Sequence, residues 1–204
     1  VGYMTGNKMT VLSDSSLPGG ALGGLLEFRT NTLDRAQNSL GRIAIGIAET
    51  FNAQHKLGQD SKSEMGGDFF SIGEAVVGAS QTNAPVSVPA NAPQVKATIA
   101  DSTKLTHSDY KVEYKNGSYR VSPTSGGMAV EIYPFPQTEP QEIFGIAFDI
   151  KNPATEGDFF VVRPTIGGAA NFNVAIKDIA RIAAGAPVVT KTPLNNTGSA
   201  KISE

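Results

Sequence analysis

A run of helical apolar spacing from Ala21 to about Leu57 constrains the fold of this chain more than any other feature. Large apolar residues recur at steps of three and four, which is typical of a helix packed along a narrow stripe. About 36 residues at a rise of 1.5 Å span on the order of 50 Å, more than a compact domain needs. The spacing therefore predicts one long helix that packs in a bundle or in an assembly. This apolar seam comprises Leu26, Leu33, Leu40, Ile43, Ile47 and Phe51.

The second half of the chain has a different period. Residues 110–121 alternate with period two around Asn116-Gly117, a dipeptide typical of two-residue hairpin turns. Further strands are predicted over 95–100, 128–133, 144–150, 159–163 and 172–177, followed by a helical turn over 178–184. Several short strands at this spacing indicate a small antiparallel sandwich or barrel. A two-residue loop predicts the cross-strand pairs Lys115–Ser118, Tyr114–Tyr119, Glu113–Arg120 and Val112–Val121.

These two regions together predict an α+β protein. Residues 1–72 are assigned to a helical, rod-like domain, and 95–185 to the β domain. The proline-rich stretch 73–94 is interpreted as an extended connector, and the Gly/Pro/Asn-rich 186–204 as an exit linker. Because the chain opens within a predicted strand at Gly2–Met4, we expect it to be a fragment of a longer protein.

The composition excludes several classes of function. With 17 basic and 19 acidic residues, the chain lacks the positive charge of a nucleic-acid binder or a polybasic membrane binder. No apolar run has the length of a membrane span. The absence of cysteine rules out disulfides, thiolate metal sites and cysteine nucleophiles.

No residue pattern indicates an enzyme, a metal site or a cofactor. Neither His55 nor His107 has a second ligand at a helical offset, so both are interpreted as structural. The Thr106–Asp109 run contains serine, histidine and aspartate, but these residues are contiguous, whereas a catalytic triad is assembled from residues that are distant in sequence. The glycine-rich 19–24 lacks phosphate-loop spacing and is apolar, which favours close backbone packing over phosphate binding.

Two smaller features admit more than one interpretation. The tyrosines Tyr110, Tyr114 and Tyr119 could face outward and support adhesion or carbohydrate binding, or they could be core residues of the β domain. The sequence Gly-Asp-Phe-Phe occurs at 67–70 and again at 157–160. Four residues are too few for a repeat, and both copies are interpreted as tight turns that deliver a pair of phenylalanines to a core.

Three motifs in order on the predicted helix carry a family resemblance. They are Gly19-Gly-Ala-Leu-Gly-Gly-Leu-Leu-Glu-Phe-Arg29, then Leu33-Asp34 with Ala36-Gln-Asn and Leu40-Gly-Arg-Ile-Ala44, then Phe51-Asn52 with Gln54-His55 and Gly58. They closely resemble the bacterial flagellar hook-filament junction proteins, the hook-associated protein 1 family. Stretches 105–114, 157–164 and 178–184 are similar to the outer domain of that family, so the resemblance covers residues 17–185.

The resemblance implies a non-enzymatic structural component of the flagellum without a cofactor. It implies export through the flagellar type III apparatus and assembly outside the cell as an axial ring zone that joins hook to filament. The implied partners are other copies of itself, the hook protein, the second junction protein (hook-associated protein 3) and an export chaperone for a terminal segment. The heptad-rich terminal segments of the family are absent here, which implies a central fragment.

Packing is the mechanism that follows for such a protein. Burial of one seam side chain is worth roughly 1.5–3 kcal/mol, so a polar change at Leu40 or Ile43 is expected to unfold the bundle. Contacts between subunits are expected instead at charged residues of the helix. The candidates for this inter-subunit surface are Arg29, Arg35, Arg42 and Glu49.

Overall fold

A computed structural model describes residues 2–5, 8–11 and 19–185 of the chain. The chain divides into two compact units. The first consists of Val1–Gly46 and Ile72–Phe172, and the second of Ile47–Ser71 and Asn173–Glu204.

The predicted long helix is present. Helix α1 covers Gly20–Phe28, a π-helical turn covers Arg29–Leu33, and helix α2 covers Asp34–Leu57. The Asp34 backbone N–H donates to the Arg29 carbonyl, the five-residue spacing of a π turn. The Thr30 hydroxyl donates to the Leu26 carbonyl at 2.7 Å within this region. The helical segments therefore follow one another directly from Gly20 to Leu57.

Two antiparallel sheets make up the β part of the first unit. One has five strands in the order β4-β11-β6-β7-β8, and the other has three in the order β5-β10-β9. A separate hairpin pairs β1 (Gly2–Thr5) with β2 (Lys8–Val11), in agreement with the strand predicted at the start of the chain. The remaining strands of the unit are β4 Val76–Ala79, β5 Gln94–Ile99, β6 Tyr110–Lys115, β7 Ser118–Pro123, β8 Val130–Ile132, β9 Gln141–Ile143, β10 Ile146–Lys151 and β11 Phe159–Arg163.

The hairpin between β6 and β7 has the predicted register. All four predicted cross-strand pairs form, from Lys115 opposite Ser118 to Val112 opposite Val121. Asn116 and Gly117 have φ values of 55° and 78°, the left-handed conformation that a tight hairpin turn of this kind requires. The local sequence therefore determines this part of the sheet.

Both sheets contribute to a single apolar core. Strand β10 alternates buried and half-buried positions, with Ile146, Phe148 and Ile150 directed inward. The same core contains Tyr110 and Tyr119, which are fully buried. The tyrosines that were candidates for an outward ligand platform are thus mainly packing residues. Their hydroxyls are also engaged, since that of Tyr119 donates to the Asn152 carbonyl at 3.0 Å.

The second unit contains the end of helix α2 and a small strand pair. Strand β3 (Phe70–Ser71) pairs with β12 (Asn173–Val174), and a 3-10 turn covers Ile179–Arg181. The strand predicted over 172–177 is therefore only two residues long and pairs outside the two larger sheets. The helical turn predicted over 178–184 is a single 3-10 turn.

The strand pairings and the two compact units divide the chain at other positions than the domain boundaries predicted from the sequence. The predicted connector 73–94 contains β4, which hydrogen-bonds with β11 at the edge of the five-stranded sheet. Residues 173–185, predicted as part of the β domain, group with the end of the long helix. The predicted exit linker 186–204 lies outside the described residues.

Candidate functional site on the long helix

Helix α2 has two faces of opposite character. Its buried positions recur at steps of three and four, although most of them are small or polar rather than large and apolar. The apolar seam lies elsewhere on the helix surface. We call the buried set the inner face; it comprises Asn38, Gly41, Ile45, Ala48, the half-buried Asn52, and His55.

Gly41 allows the closest backbone approach in the first unit. A Cβ atom at this position would overlap the Thr165 carbonyl oxygen, and one at Gly168 would lie 2.6 Å from the Gly41 carbonyl oxygen. Only glycine leaves room for two backbone segments at this separation. The Gln37 side chain donates to the Ile166 carbonyl at 3.3 Å, so the loop after β11 is held directly against the helix.

Asn38 joins the helix to the segment before β6. Its Nδ2 donates to the His107 carbonyl at 3.1 Å and to Asp109 Oδ1 at 3.0 Å. The other carboxylate oxygen of Asp109 lies 3.2 Å from Arg163 Nε on β11. Burial raises the pKa of Asp109, and the bond from Asn38 and the charge of Arg163 oppose that shift. One buried amide thus connects the helix to a charge pair of the β part.

Asn52 plays the equivalent part in the second unit. Its Oδ1 accepts from the backbone N–H groups of Phe69 and Phe70, both at 2.9 Å, and its Nδ2 donates to the Phe70 carbonyl at 2.8 Å. Phe51, Phe69 and Phe70 form an aromatic cluster with ring centroids 4.8–5.2 Å apart. The first Gly-Asp-Phe-Phe sequence therefore delivers its phenylalanines to a small aromatic cluster, as predicted.

The predicted apolar seam is largely exposed. Five of its residues, from Leu33 to Phe51, are 45–60% exposed, and Leu26 is half-buried. Leu40 is 60% exposed, so unfolding by a polar change there requires helices beyond the described residues to cover the seam, and that expectation stays a prediction. The residue that the helix does insert into the apolar core of the first unit is Ile45, which is fully buried. Packing of the seam against further helices stays a prediction.

The four charged candidates differ in their surroundings. Arg29 is exposed, with Nε 3.9 Å from Asp34 Oδ2, and Glu49 is half-buried. Arg42 Nη1 donates to the Leu105 carbonyl at 3.2 Å, so this guanidinium is engaged within the chain. Arg35 lines an open polar cavity of about 220 Å³ together with residues of the helix and of the 107–109 and 124–125 segments. Arg35 is therefore an exposed charged candidate at the rim of an open cavity.

Comparison with known proteins identifies the family. The model of the flagellar hook-associated protein FlgK helical domain matches residues 1–70, and that of the flagellar hook-associated protein 1 D2-like domain matches residues 84–164. The chain belongs to the flagellar hook-associated protein 1 family. The two matched regions correspond to the long helix and to the two-sheet β part.

Members of the hook-associated protein 1 family align over most of this chain. The Salmonella typhimurium protein is 34% identical over 168 residues, which are 80% of this chain and 29% of the relative. The Escherichia coli K12 protein is 30% identical over 186 residues, which are 90% of this chain and 32% of the relative. The chain therefore spans about a third of the length of these relatives.

A solved structure supports the same assignment. The flagellar hook junction protein FlgK from Burkholderia pseudomallei superposes with a TM-score of 0.76 at 35% identity. The match covers 87% of this chain and 31% of that protein. The α+β architecture predicted from the sequence is thus the architecture of a hook-associated protein 1 relative.

The described residues contain no grouping typical of a metal centre, since no three histidine or acidic side chains converge. Within the same residues, no helix is long and apolar enough to cross a membrane. Apolar spacing alone missed Asn38 and Asn52, which carry the polar contacts of the inner face. A regular recurrence of small and amide residues at helical steps is the signal that could have found them.

Proposed function

We propose that this chain is a structural segment of an axial flagellar protein that joins hook to filament. In this proposal it performs no catalysis and needs no cofactor. The exposed apolar seam, on a helix whose inner face is already occupied, carries the proposal. Family membership supports it, because the relatives are named flagellar hook-associated proteins.

In this proposal the two faces of the helix have different structural roles. In each unit the inner face holds its neighbours through short contacts to backbone groups, which define a fixed geometry. The seam is apolar and about half exposed in both units, although the Phe51 ring also packs against Phe69 and Phe70, so further helices can cover the rest of it. Because full burial of such a side chain is worth roughly 1.5–3 kcal/mol, covering these half-exposed side chains is worth roughly half of that each. We propose that the occupants are helices from the rest of the parent protein.

The partners proposed for the assembled protein are those of the family. They are other copies of itself, the hook protein, hook-associated protein 3 and an export chaperone for the parent's terminal segment. The proposed location is the flagellum outside the cell, reached by type III export. Of the charged candidates for inter-subunit contacts, Arg35 is favoured because its cavity is open. Arg29 and Glu49 remain candidates, and Arg42 ranks last because it already contacts Leu105.

The test is complementation of a strain that lacks the full-length parent gene. The wild-type parent, a Leu40→Gln/Ile43→Gln variant and a Met128→Gln control are each expressed in that strain. Met128 is an exposed apolar residue of the β part, 86% exposed, and lies outside the seam. Electron microscopy shows whether filaments form, and immunoblotting of the medium measures lost flagellin and exported parent protein.

The proposal expects bare hooks and released flagellin in the deletion strain and in the seam variant. It expects normal filaments with the wild-type parent and with Met128→Gln. Normal filaments in the deletion strain would contradict the junction function itself. Normal filaments with the seam variant, at wild-type levels of exported protein, would leave the junction function in place and contradict the role of the seam.

A further inference from the structure

We propose that His55 is a pH-sensitive clasp within the second unit, closed when its imidazole is neutral and opened by protonation. The clasp joins three segments: the end of helix α2, the turn at Gly66–Gly67, and the 179–185 segment. This inference concerns the stability of the second unit and does not depend on the proposed function.

The two ring nitrogens of His55 have opposite hydrogen-bonding roles. Nδ1 lies 2.8 Å from the Gly67 carbonyl oxygen, which can only accept a hydrogen bond. Nε2 lies 2.8 Å from the backbone N–H of Ala183, which can only donate. Nδ1 must therefore carry the hydrogen and Nε2 must be unprotonated. Only the neutral Nδ1–H tautomer satisfies both contacts.

Protonation places a hydrogen on each ring nitrogen. The new Nε2–H would face the Ala183 N–H, so two donors would meet where a donor and an acceptor now pair. His55 is only 6% exposed, and the bond to Ala183 is buried. A water molecule can replace the lost acceptor only if the segment at Ala183 moves away. The charged ring is thus incompatible with the docked segment.

The backbone segments around His55 pack closely against one another, so its bond to Ala183 lies where they meet. A Cβ atom at Gly66 would overlap the His55 carbonyl oxygen, and one at Gly58 would lie 2.5 Å from the Ala183 carbonyl oxygen. The Gly185 N–H donates to the Gln59 carbonyl at 3.0 Å. The backbone N–H and the hydroxyl of Ser61 also donate to the Ala180 carbonyl, at 3.3 and 3.0 Å. Loss of the bond to Nε2 is therefore expected to open the segment locally, around Ala183.

Among the described residues, the lining of the cavity beside the ring offers no charged group to stabilise an imidazolium. The cavity beside the ring is lined by Phe51, Gln54, Gly58 and residues 183–185, none of which carries a charge. The ring also lies against Phe69, with centroids 5.4 Å apart.

The charged groups of the three packed elements have other partners or lie outside this lining. On the helix, Lys56 pairs with Asp68 of the turn segment at 2.7 Å. On the docked segment, Arg181 contributes to lowering the pKa of Asp60, after the stronger effect of the backbone bond to Glu64. Among the described residues, therefore, no carboxylate lies against the ring to stabilise the protonated imidazole of His55.

The first test is ¹⁵N NMR of the imidazoles in the full 204-residue chain. At pH 8 we expect the His55 ring to carry its hydrogen on Nδ1. The second readout is hydrogen exchange at the Ala183 amide between pH 8 and pH 5, as protection factors corrected for intrinsic exchange. Once His55 is protonated on opening, protection should fall up to about tenfold per pH unit.

The second histidine of the chain supplies the control. His107 is exposed, and His107→Gln should leave the pH dependence at Ala183 unchanged. His55→Gln keeps one donor and one acceptor but cannot be protonated in this range, so its protection should vary little with pH. A hydrogen on Nε2 of His55 at pH 8 would overturn the proposal. So would wild-type protection at Ala183 that is the same at pH 8 and pH 5; both results need only the wild-type chain.

Discussion

The inner face and the apolar seam run along the same helix, yet they differ in composition and in the contacts that they make. The inner face is built from glycine, alanine, amides and an imidazole, and its contacts go mainly to backbone groups of neighbouring segments. The seam is built from leucine, isoleucine and phenylalanine and is largely exposed in the described chain. Small and polar residues here define the geometry of the folded chain, while the large apolar residues are available to other helices. Hydrophobicity therefore does not identify which face a chain buries within itself.

The largest difference in stability between the two faces is expected for truncation of Ile45 on the inner face and Leu40 in the seam. Ile45→Ala leaves a cavity in the core of the first unit and should lower the free energy of unfolding by about 2–5 kcal/mol. Leu40→Ala removes an exposed side chain and should change it by no more than about 0.5 kcal/mol. Urea unfolding of the two variants measures both values. Equal losses would mean that the seam is covered within the chain, contrary to the structure.

Two glycines of α2 provide a second matched pair. Gly41→Ala forces the Thr165 carbonyl away from the helix and should cost about 1–3 kcal/mol or more. Gly46 has no heavy atom within 4 Å of a built Cβ, so Gly46→Ala should stabilise the chain by roughly 0.5–1 kcal/mol through better helix propensity. Thermal unfolding should show shifts of opposite sign. A stabilising Gly41→Ala would show that the close approach does not exist.

Asn38 tests whether polar groups hold the inner face. Asn38→Ala removes the donor to His107 and Asp109 within a buried site and should cost about 1–3 kcal/mol. Asn31→Ala, one helical segment earlier and exposed, is the control and should have an effect within about 0.5 kcal/mol. Chemical denaturation at neutral pH distinguishes the two. A loss at Asn38 no larger than at Asn31 would show that the hydrogen bonds of this buried amide add nothing to stability.

The smallest expected effect is the pH dependence due to Asp109. Because burial raises the pKa of this carboxyl, its ionised form is disfavoured in the folded chain. The stability that it contributes is present below its unfolded pKa of about 3.9 and is lost as the pH rises through the raised folded pKa. Relative to wild type, Asp109→Asn should therefore gain stability as the pH rises through that window. Calorimetry at a series of pH values measures the difference, and a constant difference would contradict the shift.

Elements that depend on local information could be predicted from the amino-acid sequence. The helix from Gly20 to Leu57, the hairpin at Asn116-Gly117 with its register, and the α+β class follow from period and turn chemistry. The motifs on the helix also determined the family. Period and turn residues act over a few positions, so they can be interpreted without knowledge of the fold.

Three features could be seen only in the folded chain: which face of the helix is buried, the place of β4 in the five-stranded sheet, and the grouping of residues 173–185 with the helix end. Gly41 approaches Thr165 across 124 positions of sequence (165 minus 41), and His55 meets Ala183 across 128. Such contacts depend on where distant backbone groups come to lie, and residue hydrophobicity carries no information about that. The apolar pattern showed that the helix has an apolar seam. The positions of distant backbone groups in the folded chain determined that the inner face, and not the seam, is buried here.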